Sequence, residues 1–203
     1  MKRAVIFDYG GVLMQTVDYT PRQRWDQRLG LSPGGVERVV HGSTSWVQVQ
    51  QGVITLEDYW QDIAQQFNLD DSALRELAHD FYDGDRLDRD LIHYIHELRA
   101  ADYPVALLSN APAKLASDLQ TLGIVHLFNP LVISAHIGVM KPDPRAFQTV
   151  LTQLGRPATE TVFVDDMLAN VEAATALGIH GIHYQAGMDL RATLQPLIGF
   201  PME

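Results

Sequence analysis

Apolar and polar positions alternate between two regimes along the chain. Five short runs, Ala4-Val-Ile-Phe7, Val105-Ala-Leu-Leu108, Leu131-Val-Ile-Ser134, Val162-Phe-Val164 and Gly181-Ile-His-Tyr184, are mostly apolar without alternation. That is the pattern of strands covered on both faces. The segments between the later runs, Pro112 to Thr121, Pro144 to Leu154 and Ala169 to Leu177, carry apolar residues at helical spacing. Strand and helix in turn predict a three-layer α/β core, a mainly parallel sheet with helices on both sides. Leu122-Gly123, Leu154-Gly155 and Leu177-Gly178 fit helix ends closed by a left-handed glycine.

The interval from the first run to Val105 is too long for a single crossover helix, so it predicts an inserted unit. Its pattern is helical. Thr55-Leu-Glu-Asp58 resembles a capping box opening a segment through Tyr59, Trp60, Ile63 and Phe67, and Asp70-Asp71 precedes Leu74, Leu77 and Phe81. The expected division is a core of residues 1–15 and 86–203 with a small α-helical cap at 16–85, re-entered by a helix from Asp88 to Ala100.

Composition narrows the class. With 203 residues, 46% hydrophobic and 20% charged, the chain can build one core. It has no cysteine, so disulfides and thiolate metal sites are excluded. No apolar stretch reaches the roughly 18–20 residues that span a bilayer, and no signal-like leader opens the chain, so a cytoplasmic protein without membrane contact is expected. A net charge of −10 argues against nucleic acid as a partner.

Candidate chemistry gathers at the ends of the strands. Asp165 and Asp166 close the fourth run just before a helix. The pair reads equally as a helix cap with a solvated neighbour or as a cation site, because adjacent like charges need compensation. Asp8 ends the first run, before Gly10-Gly11, as a turn aspartate or a nucleophile. Ser109-Asn110 ends the second, before a helix with Pro112 in its expected first turn, where a hydroxyl and amides can face an anion. Lys141 follows the third, in a loop stiffened by Pro142 and Pro144. Parallel strands would bring all of these to one edge, and independent caps do not explain a carboxylate, a hydroxyl, a cation and an acid pair in one crevice.

In this order and with these neighbours, Asp8, Ser109, Lys141 and Asp165-Asp166 resemble the four motifs of the haloacid dehalogenase-like hydrolase superfamily, over essentially the whole chain. The resemblance implies a Rossmann-like core with a helical cap inserted after the first motif, and a phosphatase acting through an aspartyl-phosphate. It further implies Asp8 as nucleophile, Lys141 as its catalytic partner, and Ser109, Asn110 and Lys141 on the substrate phosphate. Asp8, Asp166 and the Gly10 carbonyl would hold Mg2+, with Asp165 as an outer ligand or the group orienting Lys141, and Asn170 supporting from behind. Charge counting points the same way: three aspartates against one lysine leave −2, which repels a phosphate dianion until a divalent cation is added. All-oxygen ligation suits magnesium. The expected partner is a small phosphorylated metabolite.

One position departs from the family. Its phosphatases commonly carry a second aspartate two residues after the nucleophile as general acid, and here that residue is Gly10. Losing positioned proton transfer costs about 10²–10⁴ in rate. Three escapes are open: a substrate with a good leaving group such as an acyl or anomeric sugar phosphate, a water or cap side chain as the acid, or chemistry needing no acid. The last would make the chain a metal-free 2-haloacid dehalogenase; a weakly active or non-catalytic phosphate- and metal-binding member is the remaining reading. His93, His96, His180 and His183 read as ordinary helix, edge or surface residues, and Trp25, Trp46 and Trp60 as cap core. Arg22 and Arg24 read by default as solvated surface charges, and are better suited than those histidines and tryptophans to touch a substrate anion.

Overall fold

The computed structural model describes residues 2–199. Strand β1 (Ala4–Phe7) runs through a glycine turn into β2 (Met14–Thr16), followed by helices α1 (Thr20–Arg28), α2 (Gly35–Val40), α3 (Thr44–Gln50), α4 (Leu56–Phe67) and α5 (Asp71–Asp83). The chain returns through β3 (Asp85–Leu87) and α6 (Arg89–Ala100) to β4 (Val105–Ser109), α7 (Leu115–Thr121) and β5 (Leu131–Ile133). It continues through α8 (Ser134–Ile137), α9 (Pro144–Leu154), β6 (Thr161–Asp165), α10 (Leu168–Ala176), β7 (His180–His183) and α11 (Leu190–Ile198).

Five strands form one parallel sheet in the order β5-β4-β1-β6-β7. Successive strand residues point to opposite faces, and this divides each apolar run between two cores. Val5, Phe7, Val105, Leu107, Val162 and Val164 pack against α6, α7 and α11. Ile6, Ala106, Leu108 and Phe163 pack against α9 and α10, with Phe147 and Phe163 meeting edge to face at 5.3 Å. Uninterrupted apolar strands are thus the consequence of a sheet covered on both sides. The chain adds strands to one side of β1 and then crosses to the other. The crevice at the carboxyl edge therefore opens beside β1.

The strands and helices differ from the sequence reading at their ends. Ser134 opens the short α8 rather than ending β5, and α7 begins at Leu115 rather than at Pro112. The Leu115 and Ala116 N–H groups donate to the Pro112 and Ala113 carbonyls three residues back, so the segment before Leu115 is a tight turn that leads into α7. Thr55 and Asp58 form the reciprocal capping box, and Gly123, Gly155 and Gly178 all adopt positive φ.

Helices α1 to α5 enclose their own apolar cluster of Trp25, Val36, Val40, Val49, Tyr59, Ile63, Leu77 and Phe81, with Trp46 and Trp60 packed against it. They connect to the sheet through the antiparallel pair β2 and β3, where Thr16 faces Asp85. Arg22 is buried at this neck. Its guanidinium donates to Glu37 Oε1, to Thr16 Oγ1 and to Asp85 Oδ1, each at 3.0 Å, and to the Phe81 carbonyl at 2.9 Å. It also stacks on the Phe81 ring. The expectation that Arg22 meets a substrate anion is therefore corrected: its donors are committed to holding the helical insert on its neck.

Removing one member of such a buried network leaves the others uncompensated. Arg22→Ala is expected to destabilise the chain by about 3 kcal/mol, read as a lower midpoint in urea unfolding; an unchanged midpoint would contradict the assigned role.

Candidate active site

The carboxyl edge of the sheet collects the candidate residues from four loops. Asp8 follows β1, Ser109 ends β4, and Asp165 ends β6 with Asp166 next to it; β4 and β6 are the two neighbours of β1. Asp8, Ser109, Asp165 and Lys141 are all buried. Lys141 enters from the loop beyond α8, where Gly138 turns the chain at φ 67 and Asp143 caps α9.

The ammonium of Lys141 lies between two carboxylates, 2.9 Å from Asp8 Oδ1 and 2.6 Å from Asp165 Oδ2. Asp165 is completely buried and fully occupied: it accepts from Lys141, from both approaches of the Asn170 amide at 3.0 and 3.1 Å, and from the Met167 N–H at 2.7 Å. Of the two roles left open for it, orientation of Lys141 is the one this geometry describes, with Asn170 steadying it from α10. The Tyr9 N–H donates to Asp8 Oδ1 at 2.6 Å. Both bonds to Asp8 fall on the same oxygen, so the carboxylate is fixed in orientation. Oδ2 accepts no hydrogen bond among the described residues.

Asp166 is half-buried and leans over the glycine turn, with a Cβ on Gly11 falling 2.2 Å from its Oδ2. Gly11 also sits at φ +78, so residue 11 is restricted to glycine by both conformation and space. On the other side His183 donates from Nε2 to the Asp166 carbonyl at 2.9 Å. Oxygens of Asp8, Asp165 and Asp166 lie within 4.8 Å of one another. Burial pushes the Asp8 carboxyl up to about 7, opposed by Lys141 and reinforced by Asp165. Burial and the neighbouring Asp165 also raise Asp166. A cluster of hard oxygens whose charges resist ionisation without a counter-ion fits a divalent cation such as magnesium.

Asn110 supports the loop that carries Lys141. Its side chain is engaged on both sides by Lys141, accepting from the Lys141 N–H and donating to the Lys141 carbonyl at 2.8 Å each. The side chain braces the lysine loop; the backbone amide expected to face an anion takes no part in these two bonds. The amide of Ala111 is committed to Ser134 Oγ at 2.9 Å. Free helix amides after Ser109 are therefore fewer than expected.

Two residues that the sequence reading passed over complete this support. Gln50, the last residue of α3, donates from its side chain to the Asn110 carbonyl at 2.8 Å, and its own carbonyl accepts from Ser134 Oγ at 2.6 Å. Gly52, at φ +69, lies so close to Ala135 that a Cβ would come within 2.3 Å of that carbonyl. The helical insert is thus latched onto the loop that braces Lys141.

Comparisons with known proteins agree with this arrangement. The model of the haloacid dehalogenase-like hydrolase family matches residues 2–178. The chain is 31% identical to the sesquiterpene phosphatase astK of Aspergillus oryzae over 201 residues, 97% of each protein. It is 28% identical to phosphatase MT3486 of Mycobacterium tuberculosis, over 87% of this chain and 84% of that one. In two longer relatives the match spans only 19% and 38% of their length. Among solved structures, the HAD family enzyme BT-2542 of Bacteroides thetaiotaomicron, in complex with magnesium and inorganic phosphate, superposes with a TM-score of 0.78 at 20% identity, covering 95% of this chain and 99% of that one. The shared fold is the sheet and helical insert described above.

Two outcomes follow from the geometry. The folded chain holds the Asp8 proton more tightly than the unfolded chain does, so this group favours the folded state below about pH 4 and loses that contribution as pH rises through 7. Without divalent cations, the melting temperature of Asp8→Asn minus that of the native chain should grow from pH 5 to pH 8; a difference independent of pH would contradict the buried charge. Gln50→Ala should weaken binding of inorganic phosphate several-fold with little change in fold, measured by calorimetry and circular dichroism, whereas unchanged affinity would remove the latch from the site.

Proposed function

The chain belongs to the haloacid dehalogenase-like hydrolases, and from that premise we propose that it is a magnesium-dependent phosphatase of small phosphorylated metabolites that works through an aspartyl-phosphate on Asp8. One observation carries this reading. Asp8 is fixed at one oxygen by Lys141 and the Tyr9 amide while its other oxygen faces no protein donor, the disposition of a held nucleophile.

Asp8 attacks phosphorus in line with the departing oxygen. Lys141 and Ser109 would meet the equatorial phosphoryl oxygens, with Asp165 holding the Lys141 ammonium. Asp8 and Asp166, with the Gly10 carbonyl, would hold magnesium. Bound there, the cation offsets the site's net −2 and polarises the phosphoryl oxygens. Water then releases phosphate from Asp8. We assign residues 16–85 as the cap that covers the crevice and selects the leaving group.

Support comes from the relatives named as phosphatases, and from the similarly folded BT-2542, which holds magnesium and phosphate. Glycine at residue 10 suits a metal-free dehalogenase, but such an enzyme has no need of the half-buried acid at Asp166.

Asp8→Asn is expected to lower phosphate release at least about 10³-fold, and chelation of divalent cations should do the same to the native chain until magnesium is restored. Assay of both on a phosphate-ester panel, with 2-chloropropionate alongside, checks this. Chloride release that survives the chelator, or phosphate binding without turnover, would contradict it.

A further inference from the structure

Gly10 removes a proton donor, and the structure shows what stands in its place. A Cβ at Gly10 would meet no heavy atom within 4 Å, and Gly10, unlike Gly11, does not adopt positive φ. A side chain is therefore absent from residue 10 although neither space nor backbone forbids one. No other group has moved in to fill the position.

Lys141, Asp165 and His183 are each engaged by other groups. The Lys141 ammonium is held between Asp8 and Asp165. Asp165 accepts from three directions and has no access to solvent. His183 is turned to the backbone carbonyl of Asp166. The insert reaches this edge through Gln50, whose amide donates to the Asn110 carbonyl and carries no ionisable proton. Among the described residues, no ionisable side chain of the insert is hydrogen-bonded to Asp8, Ser109, Lys141 or Asp166.

We propose that the substrates of this chain are phosphates whose leaving group departs as a stable anion without being protonated by the protein: acyl phosphates and phosphoanhydrides, in preference to simple alkyl phosphates. The inference rests on the phosphatase reading and narrows it. A bond forms from an Asp8 carboxylate oxygen to phosphorus, the bond from phosphorus to the leaving oxygen breaks, and the electron pair stays on that oxygen. The anion leaves and takes any proton it needs from bulk water. In the second half, water bonds to the same phosphorus, releases the Asp8 carboxylate with its electron pair, and gives up its proton to solvent as phosphate departs. That step also needs no donor, because a carboxylate is itself a good leaving group.

The test is the dependence of kcat/KM on leaving-group acidity. A graded series of aryl phosphates, with acetyl phosphate at one end and an alkyl phosphate at the other, would be hydrolysed by the native chain, Gly10→Asp and Gly10→Asn in magnesium. The native chain should show a steep dependence, with the alkyl ester about 10²–10⁴-fold below acetyl phosphate after correction for their uncatalysed reactivity. Gly10→Asp should flatten the dependence by raising alkyl phosphate hydrolysis at least tenfold while changing acetyl phosphate only a few-fold. Gly10→Asn, of equal shape but without the proton, should leave it steep. A shallow dependence in the native chain, with turnover of every ester, overturns the inference and leaves the phosphatase reading intact. Absence of phosphate release from all of them, acetyl phosphate included, overturns both. Should Gly10→Asp fail to fold, the native slope alone decides.

Discussion

The Lys141 ammonium, held between Asp8 and Asp165 with almost no exposure to water, is the interaction on which the rest of the site depends. A buried cation is tolerated only when its charge is matched, and buried carboxylates only when theirs is. Here two aspartates and one lysine satisfy each other incompletely, and Asp166 beside them adds to the imbalance. Burial raises the Asp8 carboxyl, and the excess negative charge makes the cluster a place for a divalent cation.

The scaffold converts this local balance into fixed geometry. Asp8 and Asp165 sit at the ends of adjacent strands whose register is set by ladder pairs such as Phe7 with Val164. Lys141 comes from a loop, and loops are held by what they bond. Asn110 clamps the Lys141 backbone on both sides, Gln50 holds the Asn110 carbonyl, and Ser134 holds Gln50. The helical insert is therefore part of the support of the lysine as well as a neighbour of the crevice, and a disturbance at the end of α3 has a short bonded route to the loop that carries Lys141.

Much of this was legible in the sequence because it follows from strong local rules. Apolar strands without alternation require a sheet covered on both faces, and polar residues at their carboxyl ends then share one edge. That placed Asp8, Ser109 and Asp165-Asp166 together before any coordinates. What escaped depends on partners distant in sequence. Gln50 reads as an ordinary helix-end glutamine, since its partners lie 60 and 84 residues away. Arg22 reads as a surface cation until Glu37, Thr16, Phe81 and Asp85 converge on it. The brace that the Asn110 side chain puts on Lys141 is equally hidden, because the two lie 31 residues apart. The start of α7 lies later than Pro112 suggests, because the residues after the proline close a turn of i to i+3 bonds before the helix begins.

The central claim is that the Asp8 carboxylate itself takes the phosphoryl group. The most direct measurement is to quench the enzyme in acid during turnover of acetyl phosphate, reduce with borohydride, which converts an acyl phosphate to homoserine, and map the product by mass spectrometry. Homoserine confined to residue 8 is the predicted result. Turnover without modification of residue 8, or with modification elsewhere, would contradict it.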